Sequence, residues 1–481
     1  MEPTTLEDVR WALGTILTRR PQYELYRAYY HGDHRQVFEI ASEQYERYFR
    51  SLLEQVRENL CKPVVRCFSE RLSIEHWEGN AGDDDNAADP GNEVDDTANE
   101  LWKALRMSRT ANRCMTEALE LGDSYVLVWP DSMGVNRVWK QRPEEFAALH
   151  CTHDPDAFDL AAKLWVCKDQ ARHGNAPDPV WRLNLYYADR CERYYAPKKD
   201  DASGVPKPDA FVEYADDDGP PVIPHQFGVV PVVRFTHDNP NEGSEPGCSV
   251  LEDVLPLQDV LNKELADVII AGEFFALPMR IFTGVQDEVN PATGKSAAEE
   301  FNPRRDRNLF FNGEGTKAVQ LDPADLRAMA EVTDSVALKI ARVTGVPLHY
   351  LVLGQGNFPS GEALRTAESR LVSRCTDLQD EWGPQWAAVM GLLGCPEVEP
   401  RWQDPAHITE MEKLNMLLLR KQLGVPWEEL MEDMGYDEVE IEEMEAEKER
   451  SIEMAQSAFS RSFDAGREDA RPPAAQAEDA D

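Results

Sequence analysis

The 481-residue sequence has no Cys-x-x-Cys pair, no Gly-x-Ser-x-Gly elbow and no P-loop. It also lacks a bilayer-spanning apolar run: the most apolar stretch, 268–282, is interrupted by Glu273, Pro278 and Arg280. The opening Met1-Glu2-Pro3 has neither a basic n-region nor an apolar h-region, so no secretory leader is expected there. Nine cysteines, odd in number and widely spaced, predict reduced thiols rather than a disulfide framework or a zinc site. Basic residues are scarce. Fifty Lys and Arg stand against 89 Asp and Glu, giving a net charge of −39. Tight nucleic-acid binding needs cations that displace counterions from phosphates. Most of this surface therefore cannot grip nucleic acid, and anionic membranes repel it too.

What is present is enough to build large cores. Apolar residues make up 42%, with 11 Trp, 14 Tyr and 17 Phe, and the length predicts about three domains. Residues 1–75 read as helical, with Leu6, Val9, Leu13 and Ile16 at helical spacing, a turn centred on Tyr29–Asp33 and a further helix over Leu60–Leu72. Gly79–Asp96 reads as a loop, and helix resumes over Ala98–Leu121. Between 122 and 237, short β-rich runs alternate with turn residues, which predicts an antiparallel meander. The runs are Ser124–Trp129, Leu164–Lys168, Trp181–Tyr187, Arg193–Tyr195, Phe211–Tyr214 and Val229–Phe235.

A long helix is expected over 249–276, with Pro256 marking either a kink or the first turn. Short strands over Met279–Thr283, Leu309–Phe311 and Lys317–Leu321 surround a loop carrying the basic cluster Arg304, Arg305 and Arg307. That cluster is either a solvated loop or a docking patch for an acidic partner or nucleic acid. Two more helices follow. Asp322 and Pro323 can open the first, Leu326, Met329, Thr333, Val336, Ile340 and Val343 form its apolar stripe, and Gly345 can end it in left-handed geometry. Ser360 can cap the second, whose stripe runs Leu364, Ala367, Leu371, Cys375, Leu378 and Trp382. Beyond 407, Gly424-Val425-Pro426 stops one helix and starts another; Asp437–Glu449 is acidic, and Arg461–Asp481 has a disordered composition.

Catalytic motifs find little support. Gly354-Gln355-Gly356 lacks the Lys and Ser or Thr of a phosphate cradle. The clusters Asp83–Asp85 and Asp216–Asp218 leave open a metal-dependent phosphodiesterase, although solvated acidic loops are the commoner explanation in such turn-rich segments. His31 with His34, and Cys151 with His153, lack the second pair that zinc spacing requires. No cofactor and no metal are expected.

The element order, with the stretches Tyr29–His34, Leu119–Val126, Ser249–Phe275 and Gly345–Leu364, resembles the portal (head–tail connector) proteins of long-tailed double-stranded DNA phages. The resemblance covers roughly residues 10–440. It implies an α+β portal fold with a helical and β-rich wing (1–248), a stem helix (249–276), a small clip (277–321) and a second stem helix (322–344). After these come a tunnel loop (345–360), a long wing helix with the wing remainder (361–406), a helical crown (407–450) and a disordered acidic tail (451–481).

It further implies a non-enzymatic ring of about twelve copies at one capsid vertex, through which DNA enters and leaves. The expected partners are the terminase large subunit, the head–tail adaptor, the major capsid and scaffold proteins, and double-stranded DNA bound weakly and non-specifically. The expected location is the virion, with the host cytoplasm during assembly. Leu348, His349, Tyr350, Gln355, Asn357 and Phe358 would be the tunnel-loop residues, Arg342 and Arg365 the flanking cations, and Arg304, Arg305 and Arg307 the clip's docking residues. The loop has no Lys or Arg between Val346 and Ser360, unlike a strand-gripping site. The alternatives are the phosphodiesterase and another minor virion structural protein.

Overall fold

The computed structural model describes residues 3–34, 58–79, 91–154, 157–167, 180–197, 204–215, 219–238, 245–275, 280–283, 308–311, 315, 317–320, 327–352, 361–406 and 410–432, with the isolated residues 441, 444, 446, 450 and 454. The chain divides into two units, Met1–Ala406 and His407–Asp481. The cap residues Asp322, Pro323 and Ser360 lie outside the described residues, as do Asp437–Glu440 and the tail Arg461–Asp481.

Helix α1 (Pro3–His31) joins two cores. Val9, Ala12, Leu13 and Ile16 bury against the larger antiparallel sheet, whereas Tyr23, Tyr26 and Tyr29 enter the main core. Gly32, at φ +83°, ends the helix, so Tyr29, Tyr30 and His31 are helical and the turn occupies only the end of the expected Tyr29–Asp33 segment. Helix α2 (Cys61–Ser69) follows, then β1 (Ile74–Gly79). Helices α3 (Gly91–Ala104) and α4 (Met107–Leu121) correct two expectations. Helix begins at Gly91 rather than Ala98, and the run to Leu121 is broken at Arg106, which adopts the left-handed region at φ 54°.

The meander expected over 122–237 is present, and it carries two more long strands than its composition indicates. Strands β2 (Asp123–Pro130), β3 (Asn136–Gln141), β4 (Phe146–His150), β5 (Phe158–Cys167), β6 (Val180–Tyr186), β7 (Arg190–Pro197), β8 (Val212–Glu213), β9 (Val222–Pro224) and β10 (Val232–Thr236) form two antiparallel sheets. One has the order β4-β5-β6-β7-β8, with β9 also on β7; the other has the order β10-β2-β3. Strands β3 and β4 escape a composition reading because Asn136-Arg137 and Lys140-Gln141 are polar, and the Ala-rich β4 has few β-formers.

Helix α5 (Leu255–Phe275) places Pro256 in its first turn, where the missing N–H costs nothing. The preceding Leu251–Val254 forms turns rather than helix. Gln258 sits within the apolar stripe of α5 and serves as a backbone clamp: it accepts from the Leu60 N–H at 2.9 Å and donates to the Glu58 carbonyl at 2.7 Å. Strands β11 (Arg280–Thr283), β12 (Asn308–Phe311) and β13 (Lys317–Gln320) form a sheet of order β12-β11-β13, with β11 parallel to β12 and antiparallel to β13. Helix α6 (Arg327–Thr344) then packs on α5. A single turn, α7 (Leu348–Leu351), interrupts the expected loop. Helix α8 (Gly361–Leu393) and strand β14 (Val398–Trp402) complete the first unit.

Strands β1 and β14 pair antiparallel, Ile74 opposite Trp402. The Asn99 side chain clamps the Trp77 backbone on both its N–H and its carbonyl, at 2.9 and 3.1 Å. The second half of α8 anchors the core. Trp386 packs edge-on to Trp102 (ring centroids 5.8 Å) and against Phe235 (4.5 Å), while Trp102 meets Trp77 at 5.2 Å. The buried Trp382 donates to the Thr236 carbonyl at 2.7 Å. In the second unit, α9 (Glu410–Leu423) and α10 (Trp427–Glu432) join at Gly424, φ +93°, so the Gly-Val-Pro stop-and-restart signal holds. The fold is mixed α+β. Among the described residues, no helix is long and apolar enough to cross a membrane.

Two buried polar junctions tie these parts together. Asp123 has no exposed surface. It accepts from Arg234 Nε at 3.0 Å and Nη2 at 2.8 Å, from the Tyr23 hydroxyl, and from the Gly247 N–H at 3.3 Å. This geometry requires two glycines back to back. A Cβ on Gly122, itself at φ +91°, would lie 2.2 Å from the Gly247 carbonyl oxygen, and one on Gly247 would lie equally close to the Gly122 oxygen. At the second junction, Arg27 binds Glu117 at 2.8 Å, Glu144, and Glu120 at 3.5 Å, while Lys140 also binds Glu117. Burial pushes the Glu120 carboxyl up to about 7; Arg27 opposes the shift, and Glu117 and Glu144 add to it.

Gly122→Ala and Gly247→Ala should each destabilise the fold by about 2–4 kcal/mol through steric conflict, compounded at Gly122 by the left-handed backbone, as read by denaturant unfolding. Ionising Glu120 is unfavourable in the folded state, so its destabilising contribution is absent below its ordinary pKa and grows as pH rises through about 7. Glu120→Gln should therefore gain melting temperature over the native chain as pH rises from about 5 to 8, a difference of a few degrees by thermal melts. A constant or shrinking gap contradicts this assignment.

Candidate functional site

The segment between α6 and α8 is built from its helix ends inward. Thr344 donates through Oγ1 to the Ile340 carbonyl at 2.8 Å, and its oxygen accepts from the Val346 N–H at 3.3 Å. Gly345, at φ +76°, donates to the Ala341 carbonyl at 2.9 Å and closes α6, as expected from its position. A helix C-terminus leaves carbonyls without partners and carries partial negative charge. Two arginines of α8 supply both needs. Arg370 Nη1 donates to the Arg342 carbonyl at 3.3 Å, and Arg374 Nη1 donates to the Thr344 carbonyl. A Cβ at Gly345 would come within 3.1 Å of Arg370 Nε, so the glycine serves both the turn and this approach.

Val346 is buried, and Pro347 leads into α7. Leu348 is exposed, whereas His349 and Tyr350 are held. The Tyr350 hydroxyl donates to Glu368 Oε1 at 2.8 Å and accepts from Arg71 Nη2 at 2.8 Å. His349 Nε2 lies 3.4 Å from the same Glu368 oxygen. Burial raises the Glu368 carboxyl, but Tyr350, Arg71 and His349 outweigh it and hold the group below the usual glutamate range. Arg342 and Arg365 are exposed near the two ends of the segment. Gln355, Asn357 and Phe358 lie outside the described residues, and so do Arg304, Arg305 and Arg307.

Arg71, Glu368, Arg370 and Arg374 are the residues that sequence reasoning missed. The four-residue spacing of Arg370 and Arg374, on a helix that follows a glycine-terminated one, is a usable signal for carbonyl capping. Arg71, 279 residues before Tyr350, has no local signal. The neighbourhood also departs from the chain's overall charge. Residues 327–376 hold six Arg or Lys against four Asp or Glu, so the acidity of the whole chain does not extend to this zone.

The other candidate chemistry does not assemble among the described residues. Among the described residues, no cluster of His, Cys, Asp and Glu could hold a metal ion. Asp83–Asp85 and Asp216–Asp218 lie outside them. His34 is buried, with Nδ1 2.7 Å from Asn262 Nδ2, in a packing role, and His31 is exposed. Burial pushes the thiols of Cys61, Cys114, Cys191 and Cys375 up to about 12, which leaves them poor nucleophiles.

A family model described as "Phage portal protein, SPP1 Gp6-like" matches residues 15–454. The chain is 25% identical over 374 residues to the portal protein of Mycobacterium phage D29, covering 73% of this chain and 72% of that one. It is 24% identical over 371 residues to the portal protein of Mycobacterium phage L5, with the same coverage. Two solved structures are more distantly similar, each 14% identical: the neck of a native GTA particle computed with C12 symmetry (TM-score 0.38, 70% of this chain and 84% of that one) and the neck of an empty GTA particle computed with C6 symmetry (TM-score 0.42, 82% and 94%). With the family match spanning most of the sequence, the chain belongs to the phage portal protein family, SPP1 Gp6-like, and is a structural, non-enzymatic protein of the phage virion.

Proposed function

We propose that this portal protein closes into a ring of about twelve copies at a single capsid vertex, and that DNA passes through its axis during packaging and ejection. The observation that carries the reading is the family match over residues 15–454. In this reading the wing is residues 1–248 with 361–406, the stem α5 and α6, the clip 277–321, the tunnel loop 345–360, the crown 407–450 and the acidic tail 451–481. The clip, with Arg304, Arg305 and Arg307, meets the terminase motor and then the head–tail adaptor. The wing faces the capsid and scaffold proteins.

The stem helices support this division. Within one chain, α6 buries Val336, Ala337, Ile340 and Ala341, while Val332, Leu338 and Val343 remain exposed, as does Val260 on α5. Apolar side chains on both faces of a helix fit a part that packs inward on its own chain and sideways on the next copy in a head-to-tail, closing interface. The loop reading is narrower than residue type alone implies. His349 and Tyr350 are engaged with Glu368, so the tip beyond Val352 is the part that approaches DNA. Its neutral composition fits sliding contact without retention.

Leu338→Asp should abolish or sharply weaken ring assembly, read by native mass spectrometry, while circular dichroism stays native. An unaffected ring removes α6 from the interface, and a native protein that stays monomeric under assembly conditions removes the ring. Replacing Gln355, Asn357 and Phe358 together by Ala should lower DNA packaging or retention by several-fold in assembled particles with ring assembly unchanged. Normal packaging removes the tip from the DNA path.

A further inference from the structure

Arg71 stands in the turn after α2, far in sequence from everything its guanidinium touches. Nη1 donates to the Pro405 carbonyl at 2.6 Å, 334 residues away. Nη2 donates to the Tyr350 hydroxyl at 2.8 Å and lies 3.4 Å from Glu368 Oε2. Glu368 accepts the Tyr350 proton on its other oxygen, at 2.8 Å. Arginine, tyrosine and glutamate thus form a closed triangle at the base of the 345–360 segment. The remaining arm of the same planar cation holds the backbone where the chain leaves the first unit, one residue before Ala406. Both side chains of the ion pair are largely buried, at 11% and 16% exposure, whereas Tyr350 reaches them from the exposed side. The guanidinium is rigid and planar. It cannot turn toward a displaced Tyr350 without moving its other arm against Pro405.

We infer that Arg71 is a positioning residue that couples the base of the loop, Leu348–Val352, to the exit segment Gln403–Ala406, so that a displacement of either one loosens the other. The consequence for DNA passage rests on the proposed role of the loop, whereas the coupling itself is a property of one chain.

Hydrogen exchange on the full-length protein, in whichever assembly state native mass spectrometry finds, tests it. The Gln403 N–H donates to the Ser73 carbonyl at 2.8 Å and reports on the exit segment; the Val352 N–H donates to the Leu348 carbonyl at 2.9 Å and reports on the loop base. Tyr350→Phe removes one hydroxyl and should raise exchange roughly fivefold at both reporters. Arg71→Lys keeps the charge but not the two-armed reach, and should do the same at Gln403. His349→Ala, which loosens α7 without touching Arg71, should raise exchange at Val352 and, through Arg71, at Gln403, but should raise Gln403 no further in the Arg71→Lys background. The coupling is overturned if Tyr350→Phe or His349→Ala changes Val352 and leaves Gln403 unmoved, or if His349→Ala moves Gln403 as strongly in the Arg71→Lys background. Should Tyr350→Phe not fold, Glu368→Gln replaces it with the same expected and contrary results. Absence of a ring in the native protein counts against the proposed function and leaves this test intact.

Discussion

A single buried carboxylate, Asp123, is the constraint on which the first unit depends. It draws together α1 through Tyr23, β10 through Arg234, and the strap ahead of α5 through the Gly247 N–H, all at the start of β2. A charge without solvent exposure is tolerated only when its partners are complete, and losing one partner of such a pair costs about 3–5 kcal/mol. The carboxylate therefore dictates how closely the strap may approach, and that approach forces glycine at both 122 and 247. The strap leads directly into α5, so the direction in which α5 leaves the sheets follows from the fit around one side chain.

The second organising element is α8. From Leu371 onward one face is core: Leu371, Cys375, Leu378, Trp382, Trp386 and Val389 are buried, and they bind the helix to β10 and to the β1–β14 pair. Its N-terminal half carries polar work. Arg370 and Arg374 complete the end of α6, and Glu368 holds α7. One continuous helix thereby links the aromatic core around Trp382 and Trp386 to the segment proposed to face DNA. The basic residues near that segment are partly committed to helix carbonyls, which leaves fewer of them for phosphate contacts. This agrees with a conduit that must touch DNA without holding it.

Much of this was legible in the sequence where the information is local. The stripe of α8, the buried Val336 and Ile340 of α6, the left-handed glycines 345 and 424, the three short strands between α5 and α6 and the antiparallel meander follow from spacing and turn residues, whereas Val343, in the α6 stripe by spacing, is exposed. What was not legible depends on partners distant in sequence. The β1–β14 pair joins Ile74 to Trp402, and neither strand alternates clearly enough to reveal the other. Gln258 reads as a flaw in an apolar stripe until Glu58 and Leu60 are placed beside it. Arg71 and Glu368 look like ordinary surface charges, and only the packing of α2, α7 and α8 makes them a site. Ala367 fits the stripe of α8 by spacing yet is exposed, because the helix runs beyond the core at that end.

The central claim is that copies of this chain enclose an axial channel with the stem helices around it. Electron cryomicroscopy of the purified, assembled protein tests it most directly. The account predicts a rotationally symmetric ring of about twelve copies whose opening admits a DNA duplex, with α6 of one copy against its neighbour. A particle without an axial opening, or a ring in which α5 and α6 lie away from the subunit contacts, would contradict it.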